Sequence, residues 1–164
     1  PCTDSEYRMQ FSLWCLSGTP LIMGSDIRNM PSQIEDLLLN KELIAINQDI
    51  ECRPPYLVGK RSVMVPEDDS DEAVEPLRMV KDKLLTFIKH LSNQEFAIAY
   101  YNLHEEEQEM HCIFADVGLP YASGYGFDMT DVFTGEHIGV KRDYHVISVP
   151  GHDCRLFRCR LVKC

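Results

Sequence analysis

No stretch of this sequence is apolar for the roughly 20 residues that a bilayer span needs. The longest candidate, residues 37–46, is broken by Asn40, Lys41 and Glu42. A basic, apolar leader is missing as well. The chain opens on Pro1-Cys2-Thr3-Asp4 rather than on Met, which reads as a point inside a longer sequence. Positive charge is scarce: 16 basic residues face 26 acidic ones, a formal charge of −10. Such a balance repels phosphate backbones, so no nucleic acid is expected as a partner. No membrane is expected either. A glycine-rich phosphate loop is also lacking. Residues 67–75 hold six acids but no glycine, so they read as a solvated loop rather than a calcium loop. Ser148 lies near His152 and Asp153, yet residues 147–150 do not form the G-x-S-x-G elbow of a serine nucleophile.

Cysteine is plentiful, with seven residues at irregular spacing. An odd, irregular set argues against a disulfide framework. Reduced thiols in a reducing, cytoplasmic compartment are expected, most of them acting as small buried apolar residues. Cys154, Cys159 and Cys164 fall on one strand, five positions apart. They alternate between its faces and do not converge with His152 on a zinc ion.

The 164 residues suffice for one medium domain or two small ones. Thr3 and Glu6 have the spacing of a capping box. Met9, Phe11, Leu13, Trp14 and Leu16 then suit a helix on a core, with Trp14 expected inside, and Gly18 and Pro20 end it. Pro20-Leu21-Ile22-Met23 has no polar alternation, as in a parallel strand buried on both faces. Ile34, Leu37 and Leu38 follow at helical spacing. Asn40 interrupts, and residues 42–47 form a second short helix. A helix, strand and helix with Gly24-Ser25-Asp26 at the strand's end is the unit of a (β/α) barrel, whose active-site loops follow its strands.

Residues 49–55 read as a linker, because Pro54-Pro55 excludes helix and central strand. Strands dominate afterwards: 63–65 at an edge, then 77–80, 84–90, 95–102, 110–116, 129–133, 136–140, 144–149 and 154–162. Short strands at this spacing indicate an antiparallel β-sandwich.

No complete catalytic constellation emerges. Glu105, Glu106, Glu107 and Glu109 sit in a polar loop, where nothing keeps one acid protonated beside an ionised partner. Asp26 stands where a barrel strand meets substrate, but it can equally cap the next turn or pair with Arg28. Tyr100, Tyr101, Tyr121 and Tyr125 are candidates for sugar stacking, against packing in the core or hairpin.

The wording of three blocks goes further. These are Tyr7-Arg8-Met9-Gln10-Phe11-Ser12-Leu13-Trp14, then Thr19-Pro20-Leu21-Ile22-Met23-Gly24-Ser25-Asp26-Ile27-Arg28, then Leu43-Ile44-Ala45-Ile46-Asn47-Gln48-Asp49. Together they closely resemble the end of the catalytic barrel in family 27 glycoside hydrolases, the α-galactosidases (melibiases) and α-N-acetylgalactosaminidases. Asp131-Val132-Phe133-Thr134-Gly135-Glu136, the hairpin 84–102 and the ending 148–158 look like that family's C-terminal strands.

The resemblance implies an α+β chain: the last helix–strand–helix piece of a (β/α)8 barrel in residues 1–50, then an antiparallel β-sandwich in 51–164. It implies a parent that hydrolyses terminal α-galactosides with retention, through an aspartate nucleophile and an aspartate acid/base. Those aspartates follow barrel strands upstream of Pro1. No catalytic, cofactor-binding or metal-binding residue is therefore assigned here, and no cofactor is expected. Asp26 and Arg28 match family positions without a catalytic role and are read as closing the barrel's top face. The fragment is expected to be inactive, and whether this chain is itself an enzyme stays open. The alternative is a non-catalytic sandwich that binds carbohydrate or a partner subunit. A barrel strand without neighbours cannot stand alone. Residues 1–49 are thus expected to dock on the sandwich, or to self-associate through Phe11, Leu13, Leu16 and residues 37–39.

Overall fold

The computed structural model describes residues 2–24, 26–66 and 77–164. The acidic run 67–75 lies outside them. Helix α1 (Asp4–Ser17) starts with the capping box that its sequence spells. Thr3 Oγ1 accepts from the Glu6 amide at 3.3 Å, and the Glu6 carboxylate accepts from the Thr3 amide at 2.7 Å. Gly18 ends the helix in the left-handed region at φ 68°. Phe11, Ser12, Cys15 and Leu16 form its buried stripe.

Asn40 interrupts the helical run as expected, and it does so by capping α3 (Lys41–Asn47). Its side-chain oxygen accepts from the Glu42 and Leu43 amides, both at 3.0 Å. The preceding helix α2 (Ser32–Leu38) stops two residues earlier.

Eight strands follow among the described residues: β1 (Tyr56–Pro66), β2 (Leu77–His90), β3 (Glu95–Asn102), β4 (Gln108–Ile113), β5 (Tyr125–Asp131), β6 (His137–Lys141), β7 (Tyr144–Val149) and β8 (Asp153–Lys163). Six make one antiparallel sheet in the order β1-β2-β3-β8-β5-β6, and β4 pairs with β7 in a second. The segments 77–80 and 84–90 are therefore one strand. Residues 110–116 are not: β4 stops at Ile113 because the Phe114 amide turns to the Asp143 carbonyl at 2.8 Å, and a 3-10 turn Phe114–Val117 follows.

The large sheet has two covered faces, which explains why β3 is buried almost throughout. Ile98, Tyr100, Phe127, Phe157 and Cys159 point toward β4 and β7, where Met110, Cys112, Phe114 and Val149 meet them. Ala97, Ala99, Tyr101, Cys154 and Leu156 point the other way and pack under Phe11, Cys15, Leu16, Leu43 and Ile46 of the helices. Successive residues on β3 and β8 thus belong to opposite cores. Each large apolar side chain so buried is worth about 1.5–3 kcal/mol.

Phe11 and Leu16, expected on a self-association surface, are accordingly buried in the helix–sheet core. Leu13 and Leu39 are exposed as expected. Trp14 departs from its expected core position and is 47% exposed, on the side of α1 that turns away from the sheet. Residues 20–24 join no sheet among the described residues. Their apolar, non-alternating pattern is that of a parallel strand, but such a strand forms only when neighbours complete its hydrogen bonds.

Candidate functional site

Polar contacts fix the helices on the sheet. Arg8 on α1 grips the buried Asp153 at the start of β8 with two hydrogen bonds, Nε to Oδ1 at 3.0 Å and Nη2 to Oδ2 at 2.6 Å. The same guanidinium lies 5.5 Å over the Phe133 ring. Ser12 Oγ is 3.1 Å from the Tyr101 hydroxyl. Asn40 Nδ2 donates to the Val132 carbonyl at 3.0 Å. On α3, Glu42 accepts from Arg158 at 2.8 Å.

The third sequence block has a structural use. Asn47 Nδ2 donates to the Thr19 carbonyl at 2.9 Å and so ties the end of α3 to the chain leaving α1. Asp49 Oδ2 accepts from the Ser92 amide at 2.9 Å and the Ser92 hydroxyl at 2.7 Å, which fixes the β2–β3 turn. Burial alone pushes the Asp49 carboxyl up, but the hydrogen bonds from Ser92 and Glu51 outweigh it and hold the group below the usual carboxylate range. Residues 49–55 looked like a plain linker. The anchoring aspartate within it was missed because its partner lies far away in sequence.

Asp26 does both structural things the sequence offered, capping the turn and pairing with Arg28. Its Oδ1 accepts from the Arg28 amide at 3.0 Å and from Nε at 2.8 Å, while Oδ2 accepts from Nη2 at 2.6 Å. The Arg28 side chain and then its amide hold this exposed carboxyl below its ordinary range.

A polar cleft runs beside α3 on the large sheet, lined by Glu42, Glu95, Asp128, Arg158 and Arg160. Glu95 accepts from Arg158 at 2.7 Å and Arg160 at 2.9 Å. Burial raises the Glu95 pKa, but hydrogen bonds from Arg160 and Arg158 win and lower it. A carboxylate held ionised in this way is a poor general acid near neutral pH. Asp128 accepts from His137 Nε2 at 2.6 Å when that nitrogen carries a proton. Of the four glutamates expected in one loop, Glu109 lies on β4 instead, and Glu107 accepts from the Ser148 hydroxyl of β7. Asp131 accepts from the Phe133 amide at 2.8 Å and the Thr134 amide at 2.9 Å, so the Asp131–Glu136 block is a built turn.

Cys154 and Cys159 enter opposite cores and Cys164 is exposed, so the three thiols do not converge. Burial pushes the Cys15, Cys112 and Cys154 thiols up to about 12. Tyr100 and Tyr101 are core residues, while Tyr121 and Tyr125 are exposed. The Tyr100 hydroxyl lies at hydrogen-bond distance from His145 Nδ1, 3.0 Å, and donates when that nitrogen is bare. Burial, aided by Lys141, drives the His145 pKa down to about 4, so the ring is neutral and can accept.

Lys89 went unnoticed in the sequence. It is fully buried on the helix-facing side of β2, and its Nζ has no hydrogen-bond partner among the described residues. A Cβ on Gly18 would touch that Nζ at 3.5 Å. Burial lowers its pKa from 10.5, and Asp49, Cys52 and Cys15 restore part of it. The unfolded chain therefore binds more protons between the lowered value and 10.5, so this group makes stability rise with pH there. Lys89→Met removes an unsatisfied buried charge at similar volume, and a gain of about 1–3 kcal/mol at pH 7 is expected. In urea titrations the gain should shrink as pH approaches 10. A loss of stability at pH 7 contradicts this account.

An apolar groove opens on the helical layer. Phe11, Trp14, Leu21, Ile22, Met23 and Leu38 line a groove of about 360 Å³. Ile22 is 87% exposed.

Comparison with known proteins places these pieces. Residues 2–49 match the family model described as alpha galactosidase A, and residues 81–159 match the alpha galactosidase C-terminal beta sandwich domain. An α-galactosidase of Coffea arabica is 51% identical over 118 residues, which are 72% of this chain and 26% of the relative. One from rice, Oryza sativa, is 26% identical over 155 residues, 94% of this chain and 32% of the relative. The mouse α-N-acetylgalactosaminidase is 29% identical over 132 residues, 80% of this chain and 27% of the relative. The chain therefore spans about a third or less of these relatives. Among solved structures, α-galactosidase from Saccharomyces cerevisiae with raffinose aligns with a TM-score of 0.79 at 18% identity, over 99% of this chain and 44% of that one. The α-galactosidase I of Mortierella vinacea aligns at 0.77 and 21% identity, over 96% and 36%.

Proposed function

Because this chain belongs to family 27 of the glycoside hydrolases, carrying the end of their barrel domain and their C-terminal β-sandwich, we propose that it is the closing part of a retaining α-galactosidase and is inactive alone. The proposed domain boundary falls between residues 50 and 51. One observation carries the reading: the stretch that matches the alpha galactosidase A model is 2–49. The side chains there that look chemical serve to hold structure. Asp26 is locked to Arg28, Arg8 to Asp153, and Asp49 to Ser92. A retaining glycosidase needs two carboxyl groups about 5–5.5 Å apart, one free to carry a proton.

Terminal α-D-galactosides are the proposed substrates of the complete enzyme, on the strength of the relatives' names. The buried thiols support cysteines used as small apolar residues, as a reducing cytoplasm permits. The test is direct. The purified chain is incubated with p-nitrophenyl α-galactopyranoside, and release of nitrophenol no faster than in buffer is expected. Turnover by the chain alone refutes the reading. The alternative, a carbohydrate-binding sandwich, keeps Tyr121 and Tyr125 as its exposed aromatics.

A further inference from the structure

We propose that the free edge of β7 is a docking site for one extended peptide of a partner protein, which joins the sandwich as a third strand beside β4 and β7. The peptide runs antiparallel to β7, as all the described strand pairs do. Its alternate residues are apolar and its C-terminal end is acidic. Nothing in this depends on the α-galactosidase reading.

The backbone offers the first support. The Phe114 amide bonds the Asp143 carbonyl at 2.8 Å, one step beyond the Ile113–Tyr144 pair. Hydrogen bonding alternates between the two sides of a strand. His145, Ile147 and Val149 therefore turn their amides and carbonyls to β4. Val146 and Ser148 turn theirs outward, where they meet no backbone partner among the described residues.

The other free edges are blunted. On β1 the register shifts twice, between Leu57 and Gly59 and between Arg61 and Val63. On β4 the Glu109 carbonyl is covered by Arg61 Nη2 at 2.6 Å. On β6 Gly139 takes φ 82° beside a register shift. The β7 sequence, Tyr144-His145-Val146-Ile147-Ser148-Val149, has no proline, lysine, arginine or acid, and its register with β4 is unbroken. Tyr144 and Val146 are exposed on it. A straight, uncharged, apolar edge of this kind is a template for another strand.

Space and charge select the occupant. A groove of about 760 Å³ lies between β6 and β7, lined by Ile138, Val140, Tyr144 and Val146. Because β7 sits against β3 and β8, strands β5 and β6 extend past its free edge and floor the groove. One strand added about 4.8 Å from β7 lies above that floor. A second copy of the chain does not fit. Antiparallel pairing of two β7 strands would bring its six-stranded sheet to the same side, into the space that β5 and β6 fill. The chain carries a formal charge of −10, yet the charged side chains lining the groove are Lys141 and Arg142. They stand where β7 begins, beside the C-terminal end of an antiparallel peptide, and so favour acidic residues there.

The test uses the whole chain and an acetylated, dye-labelled synthetic probe, TVTVTVDE. Fluorescence anisotropy is expected to give a Kd below about 100 µM at about 0.15 M salt. The probe TVTVTVKK should bind at least about tenfold more weakly. Hydrogen-exchange NMR should show the Val146 and Ser148 amides becoming protected in the complex. Val146→Pro removes an edge amide that takes no part in the β4 ladder, and it should weaken TVTVTVDE at least about tenfold. Arg142→Glu changes an exposed residue. It should weaken TVTVTVDE at least about fivefold and strengthen TVTVTVKK, a reversal that a misfolded variant would not show. Lack of binding at about 1 mM overturns the proposal. So does binding that both variants leave unchanged, or protection that misses the two amides. Displacement of the probe by raffinose overturns it by assigning the groove to sugar. Sedimentation of the chain alone as a dimer that Val146→Pro dissociates overturns it by giving the edge to a second copy.

Discussion

Gly151→Ala is expected to destabilise the protein by at least about 3 kcal/mol, the upper range of overpacking. The cause is space rather than backbone conformation. An added Cβ would lie 1.8 Å from the Glu105 carbonyl oxygen and 2.3 Å from its carbon. Both atoms are backbone and have little room to yield. The buried Asn102 side chain donates to the Glu106 carbonyl at 2.8 Å, Val149 at 2.9 Å and Pro150 at 3.0 Å, and accepts from the His104 amide at 2.9 Å. The His152 amide adds a bond to the His104 carbonyl at 3.0 Å. The loop before β4 and the β7–β8 turn are thus laced together where the methyl must enter. For a chain of this size the melting temperature should fall by about 6–12 °C. Gly118 supplies the comparison, since its φ is +91° but a Cβ there meets nothing within 4 Å. Gly118→Ala carries only the left-handed strain of about 1–2 kcal/mol. If circular dichroism melts show the two variants equally destabilised, the steric argument is wrong.

Phe157→Ala is expected to cost about 3–5 kcal/mol, the range for emptying a buried aromatic site. Phe157 is fully buried on β8, with its ring centroid 4.9 Å from that of His145 and 6.1 Å from that of Tyr100, both nearly edge to face. The urea midpoint should drop with an unchanged slope. Removing the ring also loosens the burial that holds His145 near pKa 4, so that value should rise toward 6.5. The sign follows from proton binding. His145 takes up a proton more readily when unfolded, so the parent loses stability as pH falls from 6.5 toward 4. The variant should lose less over that window. Proton NMR of the imidazole, with denaturation at pH 7 and pH 5, reads both effects. An unmoved His145 titration contradicts this account of its burial.

The sandwich was largely legible in the sequence because alternation and turn residues are local signals. Tyr144–Val149 matches to the residue, and Asp131-Val132-Phe133-Thr134-Gly135-Glu136 announced its own turn. The capping box of α1 was equally plain. What escaped depends on distant partners. Trp14 looked internal because it falls among the apolar residues in the middle of its helix, but the sheet covers one side only. Residues 20–24, by contrast, behave as foreseen: a strand's composition without a strand's neighbours forms no sheet among the described residues. Asp49 passed for linker because Ser92 lies 43 positions away. Lys89 sits in the strand next to Ile88 and His90, and nothing local says that helices will close over it.

The six-stranded sheet also acts as a partition with two tenants. Cys154 is sealed by the helical layer and Cys159 by the strand pair behind it, although five positions separate them. Lifting the helices would bare the first thiol and leave the second shut. Peeling away β4 and β7 would do the reverse. The chain therefore carries one chemical witness on each side of the wall, able to tell loosening of the catalytic-domain end from loosening of the sandwich.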